Sequence, residues 1–414
     1  MFALPAAIAC TCCGGAPPGD AVSEAPEASQ RAVQGAVRPG IEVLLSDSLH
    51  LVAGRRVGLI TNHTGIDGEG RSDIDLLFEH PEVDLVALYG PEHSIRGDAQ
   101  DGVIIDSSVD PRTGLPVHSL YGATRKPTPE MLAGVDVLLF DMQDIGARYY
   151  TYVSTMALAM EAAGEQGIPF VVLDRPNPIR GDVVQGNVLD PDFATFVGMY
   201  PVPMRHGMTP GELARLYVED FGIDVDLTVV PMSGWSRSMA FEETGLPWVA
   251  PSPNMPSLES ALAYPGTCLF EGTNLSVGRG SERPFQWIGA PWLDAERVVA
   301  ALEAYGFDGV RFDVATFVPS SPSDGKYDGQ EVRAVRVVGA STVYDAPRIA
   351  VAMLVEIHRA HPAEWRWLGT FDRLAGTDEL RLGIEAGLDM EALTADWGAA
   401  LAAFQVQRAP HLLY

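Results

Sequence analysis

The sequence predicts an α/β fold: a mostly parallel sheet domain followed by a smaller α/β C-terminal domain. Three observations carry that expectation. Nearly continuous apolar runs recur between residues 55 and 174. Segments with helical spacing alternate with them. Each run ends in a loop rich in Asn, Asp, Glu or His. Runs apolar on both sides, interleaved with helices, suit a Rossmann-like sheet covered on both faces.

The chain opens on "MFALPAAIACTCCGG", a short apolar stretch of export-segment character in which "AIAC" resembles a lipoprotein cleavage box with Cys10 as lipid acceptor. Residues 14–40 are rich in Ala, Pro, Ser and Gly and suit a flexible tether. The reading is therefore an export segment and tether over 1–39, a Rossmann-like catalytic domain over 40–255, and an α/β domain over 256–414 that completes a cleft. An exported, periplasmic or cell-surface destination follows as an expectation.

Within the first domain "RRVGLIT" (55–61) reads as a strand, "DIDLLFEH" (73–80) as a helix, and "VDLVALY" (83–89) and "VDVLLFD" (135–141) as strands. Residues 151–167 read as a helix closed by Gly167, and "IPFVVLD" (168–174) as a further strand. In "MTPGELARLYVEDFG" (208–222) Thr209, Pro210 and Glu212 form a capping-box signature. The proline-rich "LPWVAPSPNMPSLES" (246–260) reads as a crossing between domains. Beyond it "VRFDVATFVP" and "VRAVRVVG" read as strands and residues 345–361 as a helix.

Composition excludes several classes. The 414 residues carry a formal charge of −27, and the lysines are Lys126 and Lys326 alone. A basic nucleic-acid footprint is absent. Cysteines at 10, 12, 13 and 268 make neither a zinc framework nor a disulfide scaffold, and Cys268 reads as a buried small hydrophobe. There is no HExxH, no GxSxG elbow and no glycine fingerprint between a first strand and a first helix. No metal and no cofactor is expected.

Ligands of open parallel sheets bind beyond the carboxyl ends of the strands. Asn62, Glu92-His93, Asp141 to Asp144 and Asp174 to Asn177 all follow strand-like runs and are expected to converge on one rim. The loop "GPEHSIRGDAQDG" (90–102) gathers Glu92, His93, Arg96 and Asp98. "DIGARYYTY" places Arg148, Tyr149 and Tyr150 at a helix entrance, and "FEGTNLSVGRGSERP" brings Glu271, Asn274 and Arg279. Paired carboxylates suit glycoside hydrolysis, aromatic faces hold sugars, and guanidinium forks bind carboxylates.

The motifs "GPEHSIRGDAQDG", "LLFDMQDIGARYYTYVSTM", "VLDRPNPIRGDVVQGNVLD", "FVGMYPVPMRHGMTPGELA", "WVAPSPNMPSLESALAYPGTCLFEGTNLSVGRGSERPFQWIGAPW" and "FDRLAGTDELR" run in order from about Gly40 to the C-terminus. They resemble the NamZ-type exo-β-N-acetylmuramidase family, formerly a domain of unknown function. The resemblance implies an enzyme that removes terminal N-acetylmuramic acid from the non-reducing end of peptidoglycan fragments, in a cleft between two domains. The glutamate of the family's "PEHG" motif falls on Glu92; Ser94 stands where glycine is usual, and His63 where glutamine is common. Combined with the residue reading, Glu92 is expected as the general acid, held by His93 and Asp98. Glu271 and Asp141 are candidates for a second carboxylate, with the substrate's acetamido group as the alternative nucleophile. Arg148, Arg96 or Arg279 would meet the lactyl carboxylate, and Tyr149, Tyr150, Asn177, His206 and Asn274 would shape the sugar pocket, with Asn62 and Asp144 on the rim. The expected partner is a peptidoglycan-derived saccharide. Two other classes stay open at this point: a muropeptide-binding protein without catalysis, and an esterase or amidase acting on a wall component.

Overall fold

In a computed structural model, residues 36–91, 95–96, 108–122 and 124–414 are described. Residues 1–35, which hold the expected export segment and Cys10, lie outside them, as do Glu92, His93 and Asp98. After α1 (Gly40–Asp47), the chain builds β1 (Arg56–Thr61), α2 (Asp73–Glu79), β2 (Asp84–Gly90), β3 (Ser108–Val109), β4 (Pro116–Ser119) and β5 (Val137–Asp141). It continues through α3 (Tyr152–Glu165), β6 (Phe170–Leu173), an antiparallel pair β7 (Gln185–Val188) and β8 (Pro203–Arg205), α4 (Pro210–Glu219) and β9 (Leu227–Val230). The capping box at Thr209 and Glu212 forms as expected.

Among the described residues the large sheet has the order β3-β4-β2-β1-β5-β6-β9. Its pairs are parallel except β3 with β4. The chain steps outward from β1 through β2 to β4, then returns to the other side of β1 at β5. That reversal opens a crevice at the carboxyl ends of β1 and β5, where Thr61 pairs with Asp141. Consecutive residues feed opposite faces, as the period of a strand requires. Leu59 and Leu139 pack with Ile41, Leu44 and Ile74 on one side. Ile60 and Phe140 pack with Met156, Phe170 and Leu213 on the other. Each such side chain contributes about 1.5–3 kcal/mol by leaving water.

The C-terminal part holds α5 (Leu258–Thr267), β10 (Trp287–Ala290), α6 (Ala295–Glu303), β11 (Val310–Phe317), β12 (Val332–Gly339), α7 (Ala346–Ala360) and α8 (Phe371–Ala375). Its sheet is antiparallel in the order β10-β12-β11. Gly266 lets α5 seat on α7, since a Cβ there would stand 2.0 Å from the Ala346 carbonyl oxygen. Tyr264, Ile349 and Phe371 join the same hydrophobic cluster as Phe140 and Met156, so one core runs from the large sheet into the C-terminal helices. Residues 36–414 accordingly form one compact unit.

The strand-like runs of the first half all become strands of the large sheet. β4 is not evident in the residue pattern. Its "PVHS" alternates exposed Pro116 and half-buried His118 with buried Val117 and Ser119, a pattern too short and polar to stand out. This strand matters to the site, because the chain leaving it reaches Tyr121.

Candidate active site

The crevice at the strand switch is filled by the protein's own side chains. Asp141 is fully buried and accepts from Arg175 Nε. The Thr61 hydroxyl donates to Asp73, and its oxygen lies 3.0 Å from the Asp141 carbonyl oxygen. Burial raises the pKa of both Asp73 and Asp141, opposed by the Arg175 charge. Arg175, Gln143 and Thr64 face a roof made by Phe241 and residues 246–249 around only about 10 Å³ of space. A sugar does not fit there, so Asp141 is a structural carboxylate of the sheet and does not reach an open cavity.

The open space lies to the side, where the tyrosine loop after β5 meets α5 and the segment that follows it. A cavity of about 190 Å³ is lined by Tyr121, Tyr149, Tyr150, Tyr264, Glu271 and Arg279, with Phe285 and Cys268 behind them. It adjoins a wider chamber of about 580 Å³ through shared walls at Val197, Glu271, Arg279 and Leu374. Tyr264 is the hub of the aromatic wall. It lies 5.8 Å edge-on from both Tyr149 and Tyr150, and 4.6 Å from Phe285. Phe285 holds φ at 63°, a strained backbone for an aromatic residue, in the wall of this cavity.

Glu271 projects from the turn after α5. Arg279 reaches one oxygen of it with Nε at 2.8 Å and Nη2 at 2.7 Å, while Nη1 donates to Ser323. Lys326 donates to the carbonyls of Glu271 at 3.3 Å and Leu275 at 2.9 Å, tying down the backbone that carries the carboxylate. Burial raises the Tyr149, Tyr264 and Cys268 pKa values, which keeps two phenols and a thiol neutral. Glu271 is thus the carboxylate of an aromatic-walled cavity, paired there with Arg279. Among the described residues no group of three or more His, Cys, Asp or Glu stands as a metal cluster.

Four expected residues come together here: Tyr149, Tyr150, Glu271 and Arg279. Others are placed elsewhere, each for a visible reason. Arg148 is buried and spends its guanidinium on the carbonyls of Asn187, Val202, Leu374 and Ala375, at 2.8–3.2 Å. It staples β7 and the residue just before β8 to α8 and is no substrate fork. Arg96 grips Asp110 through two bonds of 2.9 and 3.1 Å. Asn62 accepts from Thr64, and Asn177 accepts from Ile179 and donates to Met208, so both amides hold turns. Asn274 is bound to the backbone of Glu364 and Arg366.

Asp144 and His206 face each other in the core, 3.9 Å apart. Burial pushes Asp144 up to about 7, while burial and the charges of Arg408 and Arg237 push His206 down to about 3. His206 is therefore neutral and Asp144 keeps its proton below about pH 7; both lie in the core, outside the cavity walls. Glu92 follows Gly90 and Pro91 at the end of β2. There Leu120 donates to the Gly90 carbonyl at 2.8 Å, and the next residue, Tyr121, lines the cavity. Tyr121, Tyr264 and Lys326 join the cavity and chamber walls beyond the residues expected there. The signals were a short polar strand before Tyr121, an aromatic just before Pro265 inside a helix, and a lysine in a chain with only two.

Fold and cavity together define an α/β protein whose pocket, walled by aromatic rings around a carboxylate–guanidinium pair, opens beside a Rossmann-type sheet. Family models described as "Exo-beta-N-acetylmuramidase NamZ, N-terminal" and "C-terminal" match residues 57–259 and 262–414. The chain is 46% identical over 398 residues to "Peptidoglycan beta-N-acetylmuramidase NamZ" of Bacillus subtilis (strain 168), covering 95% of each. Two crystal structures of DUF1343 family proteins from Bacteroides fragilis NCTC 9343 are similar. One has a TM-score of 0.85 at 37% identity, covering 92% of this chain and 99% of that one. The other has a TM-score of 0.73 at 31% identity, covering 91% and 99%. The chain belongs to the exo-β-N-acetylmuramidase NamZ family.

Proposed function

We propose that this chain is a glycoside hydrolase, an exo-β-N-acetylmuramidase that releases terminal non-reducing N-acetylmuramic acid from peptidoglycan fragments. The observation that carries the reading is Glu271, held by Arg279 in a tyrosine-walled cavity, in a chain 46% identical to the Bacillus subtilis enzyme. Glu92 acts as general acid on the leaving oxygen, supported by its match to the family's glutamate and by the approach of β2 to Tyr121. Glu271 is the second carboxylate and activates water at the anomeric carbon; inversion follows from that role.

A second reading of Glu271 has its own support. Two N–H groups of Arg279 sit on one Glu271 oxygen and leave the other to orient the sugar's acetamido N–H while the acetamido oxygen attacks. That route retains configuration. Replacing Glu92 by Gln tests the acid role: turnover of a muramyl disaccharide should fall about 10²–10⁴-fold with unchanged thermal stability. Near-normal turnover by Glu92→Gln would overturn the assignment.

Export is proposed on the apolar stretch "MFALPAAIACTCCGG", and lipidation at Cys10 on its "AIAC" box. Radiolabelled palmitate should enter the full chain and not its Cys10→Ala variant; equal labelling of both rejects the anchor.

A further inference from the structure

We infer that the 580 Å³ chamber outside Glu271 is a carboxylate-binding subsite, read by Arg125 and Arg373. The inference rests on the muramidase reading and deepens it by naming the residues that select an anionic substrate. The chamber wall carries four cations, Arg125, Arg279, Lys326 and Arg373, against two carboxylates, Glu271 and Asp324. This is an unusual concentration in a chain of net charge −27 that has 28 Lys and Arg in all.

Two of the four cations are already committed. Arg279 is held on Glu271 and Ser323. Lys326 is held on the carbonyls of Phe270, Glu271 and Leu275, with Asp324 at 3.8 Å. Arg125 and Arg373 have no hydrogen bond or ion pair with any described residue. Arg125 is instead laid over the ring of Phe196, its guanidinium carbon 4.1 Å from the centroid, an arrangement that aims a planar fork while leaving its N–H groups unspent. Arg373 stands on α8, whose last two residues, Leu374 and Ala375, are anchored by Arg148.

A sugar seated against Glu271 would extend directly into this chamber, because the two spaces share Glu271 and Arg279. An anionic substrate approaching a strongly acidic protein needs local positive charge, and two unpaired guanidiniums supply it where the extension must lie. The shared chemistry is a carboxylate. It can come from the lactyl group of the terminal sugar, or from a carboxylate carried by the saccharide beyond the scissile bond.

The test compares kcat/KM of the wild-type chain, Arg373→Gln and Arg125→Gln on three substrates. These are a β-aryl N-acetylmuramide, the same compound with its lactyl carboxylate converted to the amide, and a muramyl-terminated tetrasaccharide. Wild-type turnover of the aryl muramide first secures the muramidase reading independently; without it that reading fails, whatever the variants do. Binding of N-acetylmuramic acid by calorimetry gives a readout that does not need turnover. If the chamber reads the lactyl group, both variants lower the acid-to-amide ratio of kcat/KM about tenfold or more, mainly through KM, and weaken N-acetylmuramic acid binding. If it reads a carboxylate further along the chain, the loss shows on the tetrasaccharide and not on the aryl muramide. The inference is overturned if the acid-to-amide ratio and the tetrasaccharide kcat/KM both stay within twofold of wild type. It is equally overturned if acid and amide fall together in every variant.

Discussion

Arg279 meets Glu271 with two of its N–H groups on a single carboxylate oxygen, at 2.7 and 2.8 Å, inside a cavity walled by tyrosines. The pair joins the turn after α5 to the glycine-bearing loop before β10, and so fixes the one carboxylate that the described residues bring to the cavity. Glu271→Gln keeps the size and loses the charge. It should lower kcat about 10²-fold or more while leaving the unfolding midpoint nearly unchanged. Steady-state kinetics on a muramyl disaccharide checks this. A change in KM alone would assign Glu271 to ground-state binding.

Lys326 supports that carboxylate from behind through the carbonyls of Phe270, Glu271 and Leu275. Lys326→Met removes the donor and keeps the aliphatic stem. The expected outcome is a fall in kcat together with a loss of about 1–3 kcal/mol in stability, from carbonyls left without a donor. Urea denaturation beside kinetics measures both. Unchanged kcat would show that the backbone of Glu271 holds its place without the lysine.

Arg148 is predicted to act on stability and not on substrate affinity. Its four carbonyl partners belong to β7, the residue just before β8, and α8, and burial brings its pKa down to about 10. Arg148→Met should destabilise the chain by about 3 kcal/mol or more, since several buried acceptors lose their donor at once. The folded fraction should keep a normal KM. A raised KM with intact stability would return Arg148 to the role of a substrate fork.

Much of the fold is legible in residue patterns. The runs at 55–61, 83–89, 135–141 and 168–174 become β1, β2, β5 and β6, because strands buried on both faces leave unbroken apolar stretches. The aromatic and carboxylate halves of the cavity are legible too, at Tyr149, Tyr150, Glu271 and Arg279. What the pattern does not reveal is how polar groups are spent. Arg148 and Arg279 both sit near glycines and aromatics in sequence, yet one is consumed by carbonyls and the other by a carboxylate at a cavity. Asp141 ends a strand at the switch point, as a ligand-binding residue would, but Arg175 arrives from 34 residues later to neutralise it. Such pairings are set by tertiary neighbours, and no local spacing encodes them.

Asp144 and His206 predict a distinctive pH profile. Unfolded Asp and His titrate near about 3.9 and 6.5. The native chain holds Asp144 up at about 7, so between about pH 4 and 7 it keeps a proton that the unfolded chain has released. Stability from this group therefore falls as pH rises, by up to about 1.4 kcal/mol per pH unit. His206 is held down at about 3, so between about pH 3 and 6.5 the unfolded chain binds a proton that the native chain refuses. Stability from this group rises with pH at a similar slope. The two slopes oppose each other between about pH 4 and 6.5. Asp144→Asn removes only the falling limb, so the stability of the variant relative to wild type should climb from pH 4 to 7 and then level off. Urea denaturation at stepped pH measures the difference; parallel profiles would contradict the buried, protonated state of Asp144.

Glycosidic cleavage is tested most directly by time-resolved proton NMR of the anomeric region during incubation with N-acetylmuramyl-β-1,4-N-acetylglucosamine. Free N-acetylmuramic acid should appear together with N-acetylglucosamine. The first-formed anomer then decides between the two roles of Glu271: α for water activated by the carboxylate, β for attack by the acetamido group. An intact disaccharide after prolonged incubation, or loss of an acyl group with the glycosidic bond preserved, would contradict it.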